Sequence, residues 1–463
     1  MLRAVSLLLL STGCSGLMFH STAVTKQWDT WAFVENGTWY AYYLITEVSY
    51  GEGFGVATSS DGVHWTDHGY VWHGPAWVKY KRWQGTSSVW RAADFNTTGR
   101  YLINYSECYP EGNQTITFAE SFDLIHWSRP APYNTTYFNI DPSKGYTGAM
   151  GGGRWDTIYS IPAPGPGQQN LRDGYPRYGY WTASPSELIN QTFGFGITHD
   201  GLQWEALPSP PMIDAPQGGG ELGAVEYIPF RNGSGGAYYA MIGYGWPRTM
   251  LTYYAPTPAG PFSRAQKNVN LVNGSCYYAR FFRGPNMEVL VTHQSWTHAG
   301  THFAYIAPYK EATLDDEGQL YLTYWKGNDA MKGAKLPLVP NASSPRFYAG
   351  GVNVSKGAVM EATFVRPAAD ANPSTWPGFL MEYADTPGAL CVVLQPDGMV
   401  AIGDFDDNLP FNYTPSAAQL PTKGSDWTFG GGAAAAASRL SNTTEPDIRS
   451  GNPGGTGFAY LAQ

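Results

Sequence analysis

The stretch VATSSDGVHWTDHG, Val56 to Gly69, decides the fold because the chain repeats it. It returns as FAESFDLIHWSRP (Phe118 to Pro130) and as GITHDGLQWEALP (Gly196 to Pro208). Each copy has an aspartate and, four residues on, a tryptophan: Asp61 and Trp65, Asp123 and Trp127, Asp200 and Trp204. A fourth copy, YYAPTPAGPFSRA (Tyr253 to Ala265), has Phe262 in the tryptophan place. The aspartate suits a hairpin turn, and Gly62 and Gly201 suit its positive φ. The tryptophan returns to the strand, placed to bury between sheets. These aspartates are therefore read as structural rather than catalytic.

Successive copies are 62 and 77 residues apart (61 to 123, 123 to 200). A unit of that size holds four short strands and their loops, which is one propeller blade. Counting from Asp29 to about Asp329 gives five blades, over 27–72, 86–130, 147–208, 214–266 and 275–329. Composition agrees with an all-β chain. Aromatic residues reach 15% and charged residues only 14%, with 55 Gly and 34 Pro to make turns. Stacked Trp and Tyr between blades explain the aromatic excess without a ligand. Beyond the fifth blade, KGAKLPLVPNASSP (Lys332 to Pro345) reads as linker. The alternating runs GAVMEATFVRP, GFLMEYA, ALCVVLQPDGMVAIGDF and GTGFAYLA read as a C-terminal β-sandwich, with GGGAAAAAS as a surface loop. The expected order is a leader at 1–16, a five-bladed β-propeller at 17–331, a linker at 332–356 and a β-sandwich at 357–463.

The formal net charge is −9 and no basic run occurs, which argues against nucleic acid as partner. Arg3, the apolar AVSLLLL (Ala4 to Leu10) and the small residues STGCSG read as a secretory signal. The competing reading of that run is a buried N-terminal strand. No segment reaches about 18 apolar residues, so no membrane partner is expected. About a dozen Asn-x-Ser/Thr sites, among them Asn36, Asn96, Asn113, Asn134, Asn232, Asn273, Asn341 and Asn442, point to a secreted, extracellular glycoprotein. With Cys14 lost in the leader, Cys108, Cys276 and Cys391 allow one disulfide at most and match no zinc spacing.

QWDT (Gln27 to Thr30) and RWDT (Arg154 to Thr157) open two strand-like runs with an aspartate behind the same tryptophan. GGGELG (Gly218 to Gly223) opens the fourth blade with Glu221. In a propeller the innermost strands converge on the central channel, so Asp29, Asp156 and Glu221 would meet at one mouth. Glycosidic bond cleavage needs such a set: one carboxyl protonated to serve the leaving oxygen, another ionised to attack or to activate water. Crowding like charges in a half-buried site raises at least one pKa, which suits a general acid. Trp28, Trp31 and Trp155 stand near enough in sequence to stack on a sugar. The competing reading of Trp28 and Trp155 is packing between blades. Arg154 and Asp94 complete the expected binding set.

Five blades, acids opening blades one, three and four, and a C-terminal sandwich resemble the furanosidase clan of glycoside hydrolases, families 32 and 43. In family 32 the nucleophile lies in W-x-N-D-P-N-G, the transition-state stabiliser in R-D-P and the acid in E-C-P. This chain offers QWDT, RWDT and GELG, without the Asn and Pro of the first motif and the Cys of the third. The resemblance implies Asp29 as nucleophile, Asp156 as stabiliser and Glu221 as acid, acting with retention on β-fructofuranosides such as sucrose or fructans, without a cofactor or metal. A family 43 reading implies an arabinofuranosidase or xylosidase, with Asp29 as base and Asp156 tuning Glu221. Asp94, beside Arg91, competes for a place in the site or forms a structural pair with that arginine. Glu226 competes with Glu221, and Asp141 in FNIDPSK with Asp156. His73, His199 and His293 show no ligand spacing. A reading from another class, a non-catalytic glycan-binding propeller, stays open.

Overall fold

The structure is a computed structural model. It describes residues 8–10, 18–45, 53–73, 85, 88–108, 114–129, 137–146, 154–163, 174–183, 193–213, 220–244, 249–265, 270–272, 279–296 and 304–336. Beyond these it describes 339–340, 347–348, 359–361, 364–365, 368–370, 378–382, 389–394 and 400–405. The runs GGGAAAAAS and GTGFAYLA, and Cys276, lie outside the described residues. The chain divides into two compact units, residues 17–330 and a second built from 1–16 with 331–461.

The larger unit is a five-bladed β-propeller. Blade one is β2 (Gln27–Glu35), β3 (Thr38–Ile45), β4 (Gly53–Ser59) and β5 (Thr66–His73). Blade two is β6 (Val89–Arg91), β7 (Tyr101–Cys108), β8 (Gln114–Ser121) and β9 (Tyr137–Phe138), with the short helix α1 (Phe95–Thr98) between β6 and β7. Blade three is β10 (Trp155–Pro162), β11 (Arg177–Ala183), β12 (Phe193–Thr198) and β13 (Trp204–Leu207). Blade four is β15 (Glu221–Pro229), β16 (Gly236–Tyr244), β17 (Thr249–Ala255) and β18 (Phe262–Arg264), with β14 (Met212–Ile213) and β19 (Asn270–Val272) added to its outer side. Blade five is β20 (Ala279–Arg283), β21 (Val289–Trp296), β23 (Lys310–Leu314) and β24 (Leu320–Tyr324), with β22 (Ala304–Ile306) paired to β21. The blades are antiparallel meanders, β14 alone joining in parallel. The innermost strands β2, β10 and β15 are buried along nearly their whole length, as strands covered on both faces must be.

One blade ends differently from the expected pattern. In blade two the residues after Trp127 make only a two-bond bridge, Ser128 with Glu120, and the outer strand is Tyr137–Phe138.

The repeated turn is built the same way three times. The Oδ1 of Asp61, Asp123 and Asp200 accepts from the backbone N–H groups two and three residues ahead. A hydroxyl two residues before it, on Ser59, Ser121 or Thr198, donates to the same carboxylate and accepts from the following backbone. Gly62 and Gly201 take φ of +76° and +81°, and Leu124 takes +66° in the second copy. The turn aims its aromatic residue at the blade before it. Trp65 meets Tyr309 edge-on at 6.1 Å, Trp127 meets Tyr42 at 6.2 Å, Trp204 meets Trp90 at 5.8 Å and Phe262 meets Phe193 at 5.3 Å. Such edge-to-face pairs each add about 0.5–1.5 kcal/mol beyond their buried area. Between the last blade and the first, Phe19 forms an antiparallel bridge with Ile306, and Ser21 N–H donates to Gln27.

In the smaller unit, β29 (Gly378–Glu382), β30 (Ala389–Leu394) and β31 (Val400–Phe405) form an antiparallel meander. β1 (Leu8–Leu10), inside the apolar run read as a leader, lies between β25 (Lys335–Leu336) and β28 (Val359–Glu361). β26 (Val339–Pro340) pairs with β27 (Phe347–Tyr348).

Candidate active site

Each of the three innermost strands that opens on an acid carries a β-bulge beside it. In blade one the ladder skips Asp29, which sits between the Trp28–Leu44 and Thr30–Tyr43 pairs with φ of +43°. In blade three it skips Thr157, next to Asp156. In blade four it skips Gly223, two residues from Glu221. The innermost strands of blades two and five, β6 and β20, keep an unbroken register. A bulge adds one residue to one strand and re-aims the neighbouring side chains. Gly223 has a further reason to be glycine: a Cβ there would lie 2.2 Å from the backbone oxygen of Ala279 in blade five.

The acids meet. Asp29 and Asp156 are buried, and Glu221 retains 20% of its side-chain exposure. Arg154 joins two of them, one nitrogen on Glu221 Oε1 and the other 2.5 Å from Asp156 Oδ2. Asp29 feels both remaining carboxylates. Burial first, then the charge of Glu221, pushes its pKa up to about 8; Asp156 adds to the rise, while Arg280 and a hydrogen bond from Gln294 oppose it. Arg280, almost fully buried on β20, brings a second cation to the group.

Asp156 is held by a hydrogen-bond chain with one possible direction. Trp155 N–H donates to Gln114 Oε1 at 3.1 Å, which fixes the amide so that its NH₂ faces Ser106. Ser106 Oγ accepts from Gln114 Nε2 and from Gly85 N–H, both at 3.0 Å. A hydroxyl has one proton and two lone pairs. With both lone pairs used, Ser106 donates its proton to Asp156 Oδ1, at 2.5 Å. Both oxygens of Asp156 thus accept, one from a hydroxyl and one from a guanidinium. Backbone passes so close here that a Cβ on Gly85 would lie 2.0 Å from Asp156 Oδ1.

The remaining expected residues divide. Arg154 is at the site. Trp28, Trp31 and Trp155 are not available to stack on sugar. Trp28 and Trp31 are buried in the core between blades one and two, where Trp31 lies flat on Tyr42 at 5.3 Å. Trp155 is wholly buried among Phe138, Tyr146 and Trp181, its indole N–H bonded to the Phe138 carbonyl. Packing between blades is their role. Asp94 is likewise absent from the site: it follows the far end of β6, stands just before α1 without a side-chain cap bond and pairs with Arg100 at 2.5 Å. Arg91 pairs instead with the buried Glu35. Glu226 is buried with Arg283 and Tyr159 as partners, and Asp141 accepts from its own turn at Ser143. Among the described residues, no three His, Cys, Asp or Glu side chains are grouped to hold a metal ion.

No family model matches the chain, and no curated protein matches it. Solved structures do. The exo-β-1,3-galactanase 1,3Gal43A of Clostridium thermocellum aligns with a TM-score of 0.51 at 15% identity, over 84% of this chain and 82% of that one. An α-L-arabinanase of Cellvibrio cellulosa aligns at TM-score 0.44 and 14% identity, over 68% of this chain and all of that one. A family 43 β-xylosidase/α-arabinofuranosidase from a compost metagenome aligns at 0.46 and 15%, over 66% and 95%. At these identities the likeness concerns the propeller fold.

Ser106, Gln114, Gln294 and Arg280 are site residues that the sequence reading passes over. Arg280 had a signal: it is the second residue of an innermost strand, as Asp156 is of β10. The other three are polar residues inside strands, and nothing marks them until register and blade order are known.

Proposed function

We propose that this chain is a secreted glycoside hydrolase whose reaction uses Asp29 and Glu221, with Asp156 fixing their surroundings. The observation that carries the reading is the meeting of three acids from three blades, with Arg154 between two of them. Two carboxyls in unlike settings are what acid-assisted cleavage requires. Asp29 is buried against apolar strands and near like charge; Glu221 is more open and faces a cation. In this scheme Asp29, ionised as pH rises towards about 8, is the carboxylate that attacks the anomeric carbon or activates water. Glu221 serves the leaving oxygen once substrate has entered beside Arg154. The N-terminal Arg3 and apolar run, with the many glycosylation sequons, support export.

Two finer readings share this site. The resemblance of the strand-opening acids to family 32 favours β-fructofuranosides, cleaved with retention. The likeness in fold to the Clostridium galactanase favours a family 43 type of substrate and inversion. Protein purified from culture medium and offered sucrose, inulin, an aryl α-L-arabinofuranoside and β-1,3-galactan separates them, with the first-formed anomer read by proton NMR. Hydrolysis of any of these supports the proposal. Inertness towards all four, together with glycan binding, overturns it in favour of a non-catalytic propeller.

A further inference from the structure

We propose that Gln294, Ser106 and Thr182 are positioning residues, one per acid, each reaching from the second strand of one blade to the acid-bearing strand of the next. This rests on the hydrolase reading for its catalytic consequence. The three are fully or almost fully buried. Each lies near the end of a second strand, on the same rim as the acids: Gln294 on β21, Ser106 on β7 and Thr182 on β11. Gln294 of blade five donates to Asp29 Oδ1 of blade one at 3.4 Å. Ser106 of blade two donates to Asp156 Oδ1 of blade three at 2.5 Å. Thr182, paired with Asp156 in its own blade, accepts from Leu222 N–H of blade four at 2.9 Å, one residue from Glu221.

The pattern stops where no acid follows. Blade one precedes blade two, whose short inner strand brings no carboxylate to the group, and its second strand ends in the buried Tyr43, Leu44 and Ile45. Blade four precedes blade five, whose inner strand brings Arg280, and its second strand carries Ile242 and Gly243 at that level. A polar side chain in a packed blade interface costs free energy unless it is bonded. Before blades two and five the described second strands send only tyrosine hydroxyls across, Tyr42 to the Leu124 carbonyl and Tyr239 to the Gly318 carbonyl, and both end in outer turns rather than on an innermost strand. A bulged strand has lost part of its own ladder, and a bond from the neighbouring blade restores a fixed position. Three such bonds tie carboxylates from blades with no shared ladder into one geometry, and a misplacement of about 1 Å costs about 100-fold in rate.

The test pairs each isosteric loss with a conservative replacement. Ser106→Ala and Thr182→Val are expected to lower kcat about 10- to 100-fold, with KM nearly unchanged. Ser106→Thr and Thr182→Ser, which keep the hydroxyl, recover most of that loss. Equal kcat in all four variants overturns the proposal. A second arm needs no turnover. In ¹³C-carboxyl NMR of aspartate-labelled protein, Asp29 titrates among Glu221, Asp156 and Arg280. Gln294→Ala, by removing a donor to the carboxylate, should move that titration to higher pH. An unmoved titration in a folded variant defeats the positioning role whether or not the wild type hydrolyses anything. A moved titration in an inert wild type keeps the positioning role and defeats only the hydrolase reading.

Discussion

Asp29 concentrates the electrostatics of the molecule in one carboxyl. Its pKa in the fold is about 8, against an ordinary carboxylate value of 3.8, because burial and the charge of Glu221 disfavour ionisation. A group whose pKa is raised by folding favours the native state while protonated, and that contribution is lost as pH climbs through the folded value. Thermal midpoints should therefore fall between about pH 4 and pH 8. Asp29→Asn should flatten this dependence while keeping the protein folded; a variant with an unchanged pH slope would place the titration elsewhere. Activity runs the other way. With Asp29 working as a carboxylate, kcat/KM for the free enzyme should rise towards about pH 8. A fall through the same range would make Asp29 the proton donor.

At the scale of the strand, the bulge and the turn are the two devices that matter. Gly223 lies where blade four touches the backbone of blade five, and a methyl group there has no room. Gly223→Ala should cost about 1–3 kcal/mol in urea unfolding, and a neutral result would mean that the two strands can part. The turn that repeats through the blades drives an aromatic ring into the preceding blade. Trp127→Ala should cost about 3–5 kcal/mol, since Trp127 is buried against Tyr42 and Phe54. The aspartate-to-tryptophan spacing made this turn legible in the sequence, and with it the blade count. The acids were legible too, because each opens a run of strand-forming residues. The tryptophans beside them misled, since a ring that stacks on sugar and one that fills a blade interface look alike in sequence. Burial, set by side chains from other strands and the neighbouring blade, decides between them. Asp94 misled for another reason: the turn after β6 is short, so a residue near the strand in sequence lies at its far end. Bulges leave no mark in the residue types.

In the propeller ring the aromatic residues of the repeated turn and the braces beside the acids run in opposite senses. Aromatic wedges point back to the preceding blade and polar braces point forward to the next. The ring also sorts the glycosylation sequons. Asn36 and Asn232, in turns, and Asn96, in α1, are exposed in the connections that follow innermost strands, the end away from the acids. Asn104, in the sequon Asn104-Tyr105-Ser106, is wholly buried and bonded to Ile158. Peptide mapping of protein secreted by a eukaryotic host should find glycan at the first three and none at Asn104; glycan on Asn104 in folded protein would contradict the packing between blades two and three. The most direct measurement is kcat/KM on a single cleaved substrate for the wild type and for Asp29→Asn, Asp156→Asn and Glu221→Gln, each verified as folded. One shared centre predicts a loss of about a thousandfold or more in every variant, although the three residues stand on different blades. Near-normal turnover in any one of them would contradict it.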